Sequence, residues 1–243
     1  MKCDMLKINK IYNMDCLEGM RLMKEQGIKV DLVIGDPPYL IKNTNAGGKS
    51  ELSKSIQGMN DEIQNDNLTG GITEEYLDLM WKLMKVPNIY LWCNGAQIPQ
   101  YLDFFVNRRK CSFDVLIWNK TNAMPLFHNK YLSDKEYLLY FRKHGYCMPV
   151  SYEAAKTVYY QPINIKDKRK YGHPTVKPLN IISNLVLNSS REGDLILDPF
   201  MGSGTTAEAC MRLGRNFIGF EINTKFYEAS QNRLASVLSE GMV

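Results

Sequence analysis

Asp194-Leu195-Ile196-Leu197 runs directly into Asp198-Pro199-Phe200-Met201-Gly202-Ser203-Gly204-Thr205-Thr206, and this stretch decides the fold. The first four residues read as a short buried strand, and Thr205–Leu213 reads as the helix that follows. Glycines in a turn between strand and helix let the backbone approach a ligand and take up torsions that a side chain forbids. The next strand, Asn216–Phe220, ends on Glu221. A carboxylate at that position can accept hydrogen bonds from ribose hydroxyls. Strand, glycine turn, helix, strand and acid together read as a site for a nucleotide-like cofactor.

Far upstream a second strand meets a second turn. Val30–Ile34 leads into Asp36-Pro37-Pro38-Tyr39. Around these two anchors, apolar runs alternate with helix-like segments, the pattern of a parallel sheet covered by helices on both faces. Strands are expected at Lys7–Met14, Asn88–Cys93, Phe113–Trp118 and Glu136–Phe141, the last two forming an antiparallel pair at the sheet edge. Helices are expected at Leu17–Gln26, Asn180–Leu187 and Tyr227–Leu238. A further helix begins at Thr73, an N-cap followed by Glu74 and Glu75, where carboxylates favour the helix dipole. Lys42–Gly71 and Gly145–Gly172 fall outside this rhythm, the first being too long for an ordinary connection.

The 243 residues suit one large α/β domain or one domain with an insertion. A hydrophobic content of 44% and a charged content of 23% are ordinary for a globular protein. The net charge of +4 permits a nucleic-acid partner without requiring one. No run approaches the roughly 18 apolar residues of a membrane span, and the N-terminus lacks a signal-peptide core. Cys3, Cys16, Cys93, Cys111, Cys147 and Cys210 are scattered without metal-ligand spacing, so free thiols in the cytoplasm and no metal are expected.

The Asp-Pro-Pro-Tyr turn carries its own chemistry. Two prolines fix the backbone, so the Asp36 carboxylate and the Pro37 carbonyl can both face an exocyclic amino group. Such a nitrogen is a poor nucleophile because its lone pair is conjugated with the ring. Two acceptors on its two N–H groups shift it toward a pyramidal geometry and stabilise the charge that develops as a methyl group arrives. Tyr39 offers a face for stacking the base. For the cofactor, NAD is disfavoured because Ala207 stands where a third glycine would fall and nothing offers a hydride-transfer site. S-adenosylmethionine fits better, having no pyrophosphate to seat and carrying a cationic sulfonium.

These residues, in this order, resemble the permuted (β) group of DNA amino-methyltransferases, which methylate adenine N6 or cytosine N4. Asp36-Pro37-Pro38-Tyr39 resembles the catalytic motif, and Asp198-Pro199-Phe200-x-Gly202-x-Gly204-Thr205-Thr206 the cofactor motif. His173-Pro174-Thr175-x-Lys177-Pro178 is similar to the segment that helps hold the methionine end of the cofactor. Gly214-Arg215-Asn216-Phe217-Ile218-Gly219-x-Glu221 fits the second cofactor strand, and Asp15 sits where the family places an acid near the cofactor adenine. Trp118, Lys120 and Glu136 also fall at family-like positions, without an assigned chemistry. The resemblance implies cofactor contacts from Asp15, Asp36, His173, Thr175, Lys177, Asp198, Phe200, Gly202, Ser203, Gly204, Thr205, Thr206 and Glu221. It also implies a single domain over residues 1–243: a doubly wound, Rossmann-like, mostly parallel sheet of about seven strands, entered midway, with one antiparallel edge strand.

DNA is the implied partner, and the resemblance leaves room for a homodimer and for a cognate restriction endonuclease. Recognition is expected from segments 42–71 and 145–172; the second is short for a stand-alone reader of a long target, which suggests a short site, help from the first segment, or a second subunit. Lys166, Lys168, Arg169 and Lys170 are the first candidates for phosphate contacts, followed by Lys42, Lys49, Lys54 and Arg108-Arg109-Lys110. Of Tyr152, Tyr159, Tyr160 and Tyr171, about half are expected to pack rather than stack on bases, and His128 and His144 to be polar surface or core residues. Asp-Pro-Pro-Tyr leans toward adenine in this family, so N6-adenine is the expected product. N4-cytosine methylation and a non-catalytic DNA-binding module are the alternatives.

Overall fold

The computed structural model describes residues 5–41, 57, 61, 69–125, 131–163, 165–171 and 175–240. Cys3, His128, His173 and most of segment 42–71, including Lys42, Lys49 and Lys54, lie outside the described residues.

Eight strands form one sheet: β1 (Lys10–Asn13), β2 (Leu32–Gly35), β3 (Asn88–Cys93), β4 (Ser112–Lys120), β5 (Lys135–Arg142), β6 (Val158–Gln161), β7 (Leu195–Asp198) and β8 (Asn216–Glu221). Their spatial order is β1-β8-β7-β2-β3-β5-β4-β6. The two C-terminal strands therefore fill the gap between β1 and β2, as the permuted motif order implies. Every pairing is parallel except those of β5, which runs antiparallel to both β3 and β4.

Side-chain alternation assigns the two faces. In β3, Ile89, Leu91 and Cys93 point to one core, Tyr90 and Trp92 to the other. The first core is closed by α1 (Cys16–Glu25), by α2 (Glu74–Leu83) and by α3 (Ile98–Tyr101), which widens into a π-helical turn, Leu102–Arg108. The second is closed by α5 (Leu179–Ser189) and α6 (Thr205–Arg212), with Tyr227 and Leu234 of α7 (Thr224–Glu240) packed against it.

Three details differ from expectation. The antiparallel strand is interior, because β6 adds an eighth strand beyond β4. That strand was hidden because its tyrosines also suit base stacking. They divide as strand neighbours do: Tyr160 is exposed, while the Tyr159 hydroxyl accepts a hydrogen bond from Asn184 of α5. Segment 145–172 further holds a short helix, α4 (Ile165–Tyr171). Finally, Thr73 stands at the N-cap of α2 without a side-chain capping bond, whereas Asp15 caps α1 by accepting from the Leu17 and Glu18 amides.

Asn88 links three of these elements from a position 1% exposed. Its amide donates to the Ser189 carbonyl (2.9 Å) and the Tyr146 carbonyl (3.2 Å), while its oxygen accepts from the Tyr140 hydroxyl (2.8 Å). Asn88→Ala leaves buried polar groups unpaired and is expected to lower unfolding free energy by about 2–4 kcal/mol. Urea denaturation measures this, and an unchanged midpoint would show that the network adds nothing to stability.

Candidate active site

Four neighbouring parallel strands, β1, β8, β7 and β2, deliver acids to one edge of the sheet. Asp15 follows β1, Glu221 ends β8, Asp198 ends β7 and Asp36 follows β2. All four line a single cleft, together with Thr175, Lys177, Phe200, Gly202, Ser203, Thr205 and Thr206. Ligands of open α/β sheets bind at these carboxyl ends. The cleft suits a cofactor that carries positive charge beside a nucleoside.

The glycine turn is built as its sequence demands. Gly202 and Gly204 have φ of +52° and +83°, values that favour glycine. Glu221 secures the turn, accepting from the Gly202 amide through Oε2 and from the Asn223 amide through Oε1, each at 2.8 Å. The Asp198 carboxylate accepts from the Phe200 amide (2.9 Å) and the Thr206 hydroxyl (2.6 Å). Burial pushes its pKa up to about 7 against those two hydrogen bonds, and Asp36 and Glu221 add to the rise.

Two supports of this turn were missed in the sequence. Arg233 of α7 is 1% exposed and donates to the Thr205 hydroxyl at 2.9 Å. Its charge is met by Glu208 of α6, which also pairs with Arg212 at 2.8 Å. The available signal was spacing: Arg233 shares the buried stripe of its helix with Phe226 and Ser230. Tyr76 was the second miss; it stacks on Phe200 with ring centroids 6.1 Å apart.

At the other turn, Asp36 divides its two oxygens. Oδ2 is paired with Lys177 Nζ at 2.5 Å, whereas Oδ1 is buried and has no hydrogen-bond partner among the described residues. Lys177, expected at the methionine end of the cofactor, lines the cleft but is held on the catalytic turn. It also lies 3.3 Å from Glu136, and Glu136 pairs with Lys120 at 2.6 Å. The Tyr39 hydroxyl donates to Glu136 Oε2 at 3.1 Å. Pro37 is buried, and the Pro38 carbonyl accepts from the Gln97 side-chain amide at 3.0 Å.

Burial raises the pKa of Asp36, Lys177 opposes the rise and Glu136 adds to it. Burial also acts to raise that of Glu136, but Lys177 and Lys120 outweigh it and bring the pKa down to about 2. Burial, with Glu136 and Asp36 nearby, pushes the Tyr39 phenol well up, so it stays a neutral donor.

The basic run is split by its helix. Lys166, Arg169 and Lys170 are exposed on α4, while Lys168 is half-buried. Burial lowers the Lys168 pKa, with Lys120 and Lys177 lowering it further and Glu136 opposing them, so this lysine lies within the field of the Glu136–Lys120–Lys177 cluster. Of the four tyrosines, Tyr152 and Tyr160 are exposed, and Tyr171 lies against the Arg233 guanidinium. Arg108 and Arg109 are engaged within the fold, Arg108 with Glu74 and Asp103 and Arg109 with Asp78. His144 is an exposed turn residue with φ of +62°. Among the described residues no cluster is arranged to hold a metal ion, and no helix is long and apolar enough to cross a membrane.

Residues 30–232 match the N6/N4 methyltransferase family, described as DNA methylases. The chain is 30% identical to the type II methyltransferase M2.MboI of Moraxella bovis, over 92% of this chain and 86% of that protein. It is likewise 30% identical to M2.DpnII of Streptococcus pneumoniae, over 92% and 88% of the two chains. The solved M1.HpyAVI–SAM complex superposes with a TM-score of 0.69 at 26% identity, covering 93% of this chain and 98% of that one. The cytosine-N4-specific PvuII methyltransferase shares the fold, with a TM-score of 0.64 at 14% identity over 91% of this chain and 84% of that one. The chain belongs to the N6/N4 family of DNA methylases, and its methyl donor is S-adenosylmethionine.

The raised Asp198 pKa makes stability depend on pH with a definite sign. Between the ordinary carboxylate range and about pH 7 the folded chain binds this proton and the unfolded chain does not. Stability therefore falls as pH rises through that window. Denaturation without cofactor at pH 5 and pH 8 should show the wild type losing about 2–3 kcal/mol relative to Asp198→Asn. Parallel curves for the two proteins would contradict it.

Proposed function

We propose that this chain methylates the N6 amino group of an adenine flipped out of DNA. The observation that carries the reading is Asp36 Oδ1, buried and without a hydrogen-bond partner among the described residues, on a residue that lines the cofactor cleft. A base inside a duplex cannot reach a buried carboxylate, so the target nucleotide must leave the stack. Bound S-adenosylmethionine supplies the methyl group. Asp36 Oδ1 accepts one N–H of the target amino group, and the Pro37 carbonyl accepts the other. Tyr39 offers its ring to the base, its hydroxyl being held by Glu136. As nitrogen bonds to the methyl carbon, the carbon–sulfur bond breaks and its electron pair stays on sulfur. The extra proton on nitrogen then leaves to water, so no strong general base is required.

In this reading Glu221 and Asp15 serve the nucleoside part of the cofactor. Thr175, Asp198 and residues Phe200 to Thr206 bound its remaining length, with His173 from the same segment as Thr175, whereas Lys177 serves the catalytic turn. Exposed Lys166, Arg169 and Lys170 hold phosphates. Residues 1–243 act as one domain in the cytoplasm, with recognition from segments 42–71 and 145–172. The short segment 145–172 favours a homodimer, and the type II relatives favour pairing with a cognate endonuclease.

Mass spectrometry of nucleosides from unmethylated plasmid, after incubation with protein and S-adenosylmethionine, tests the reading and should return N6-methyladenine. N4-methylcytosine would keep the mechanism and move the base. Cofactor binding without any methylated nucleoside would favour a DNA-binding module. Asp36→Ala should cut transfer by at least about 100-fold while sparing cofactor affinity, because it removes an acceptor needed at the reacting nitrogen. Glu221→Ala should mainly weaken cofactor binding, as isothermal calorimetry would report.

A further inference from the structure

The antiparallel strand β5 has a consequence for the site. Because it runs against its neighbours, its first residues lie level with the last residues of the parallel strands. Glu136 pairs across the ladder with Trp118, and Tyr137 with Cys93 at the end of β3. A side chain from the start of β5 thus reaches the edge where Asp36 stands.

Glu136 there holds three partners. Oε1 takes Lys120, and Oε2 takes the Tyr39 hydroxyl with Lys177 beside it. Lys177 in turn holds Asp36 Oδ2. The side chains of Lys177, Glu136, Lys120 and Asp36 are only 7%, 15%, 17% and 23% exposed. Two ammonium groups and two carboxylates balance, as buried charges must. Both ends of the catalytic turn, the Asp36 carboxylate and the Tyr39 ring, are thereby fixed through one part-buried residue of a different strand.

We propose that Glu136 and Lys177 are positioning residues for methyl transfer. Lys177 occupies Asp36 Oδ2, which leaves Oδ1 as the oxygen to accept from the target amino group. Glu136 holds Lys177 and the Tyr39 hydroxyl, so the acceptor and the stacking ring keep a fixed relation to each other. The inference rests on the methyltransferase reading and assigns work within that same site to groups that touch neither the methyl nor the accepting nitrogen.

The arrangement separates charge from simple packing. The groups that face Asp36 are Lys177 just before α5, Glu136 on β5, Asp198 on β7, Tyr39 on its own turn, and Cys93 and Tyr101 on β3 and α3. Lys120 and Lys168 act through Glu136 and Lys177. Lys177 favours the ionised form of Asp36 and Glu136 disfavours it. Their removal must therefore move the ionisation of Asp36 in opposite directions.

The test compares wild type, Glu136→Gln and Lys177→Gln by single-turnover methylation across pH, with cofactor affinity measured alongside. Both variants should transfer about 10- to 100-fold more slowly at neutral pH, because a small misplacement of reacting groups costs that much. Cofactor dissociation constants should stay within about threefold, a change of well under 1.4 kcal/mol. The acid limb of the rate profile should move to lower pH in Glu136→Gln and to higher pH in Lys177→Gln. Tyr39→Phe should add little to the loss already present in Glu136→Gln if both act through one contact. Acid limbs that stay fixed or move together in a transferring wild type would overturn the inference alone. A rise in the cofactor dissociation constant of Lys177→Gln that accounts for its whole loss would overturn it too, making Lys177 a cofactor ligand. A wild type that transfers no methyl group would overturn the methyltransferase reading, and the inference with it.

Discussion

A buried carboxylate oxygen with nothing to accept is a cost that a fold seldom carries without a use, about 1–3 kcal/mol for a lost partner. Among the described residues Asp36 Oδ1 is such an atom, and much of the site exists to keep it so. The prolines on its C-terminal side restrict the backbone, Lys177 occupies the other oxygen, and Glu136 prevents Lys177 from swinging away. The arrangement is prepared before any substrate arrives. Little reorganisation is left for the reaction itself, which is where fixed dipoles and charges contribute most to rate.

The same edge of the sheet gathers carboxylates that would repel one another in an empty site. The upward displacement of Asp198 is partly this repulsion, since Asp36 and Glu221 both contribute. A cationic cofactor relieves it. Arg233 and Glu208 work behind the glycine turn and keep their own charges paired, so they brace the turn without cancelling the negative field in front of it. Tyr171 packs on that arginine, which places the basic helix α4 against the support of the cofactor turn.

Most of the architecture was legible because short, sharp signals carry it. The strand–turn junctions at Asp36 and Asp198 and the acid at Glu221 marked the site, and their resemblance to the permuted family implied that β7 and β8 lie between β1 and β2. β6 was not legible: four residues of alternating exposure look the same as a tyrosine-bearing loop. The interior place of β5 was hidden too, because strand neighbours depend on pairing across the chain. In the site, residues next to a motif were readable and residues reaching it from elsewhere were not. Glu136 and Lys120 stood at suggestive positions, but only the antiparallel ladder brings them to Asp36. Lys177 shows the complementary problem, since a correct motif gave no hint of which neighbour its ammonium would meet.

The interleaving of β7 and β8 between β1 and β2 also sets a timetable. A chain emerging from the ribosome completes the Asp-Pro-Pro-Tyr turn early, yet the two strands that must lie beside it are made last. Until then β1 and β2 flank a gap, and their facing edges have no hydrogen-bond partners in the sheet. Synthesis proceeds at about 5–20 residues per second, so this open state lasts on the order of ten seconds. A nascent or truncated chain thus has its reactive turn but no bed for the methyl donor, and the ability to mark DNA arrives only with the final strands.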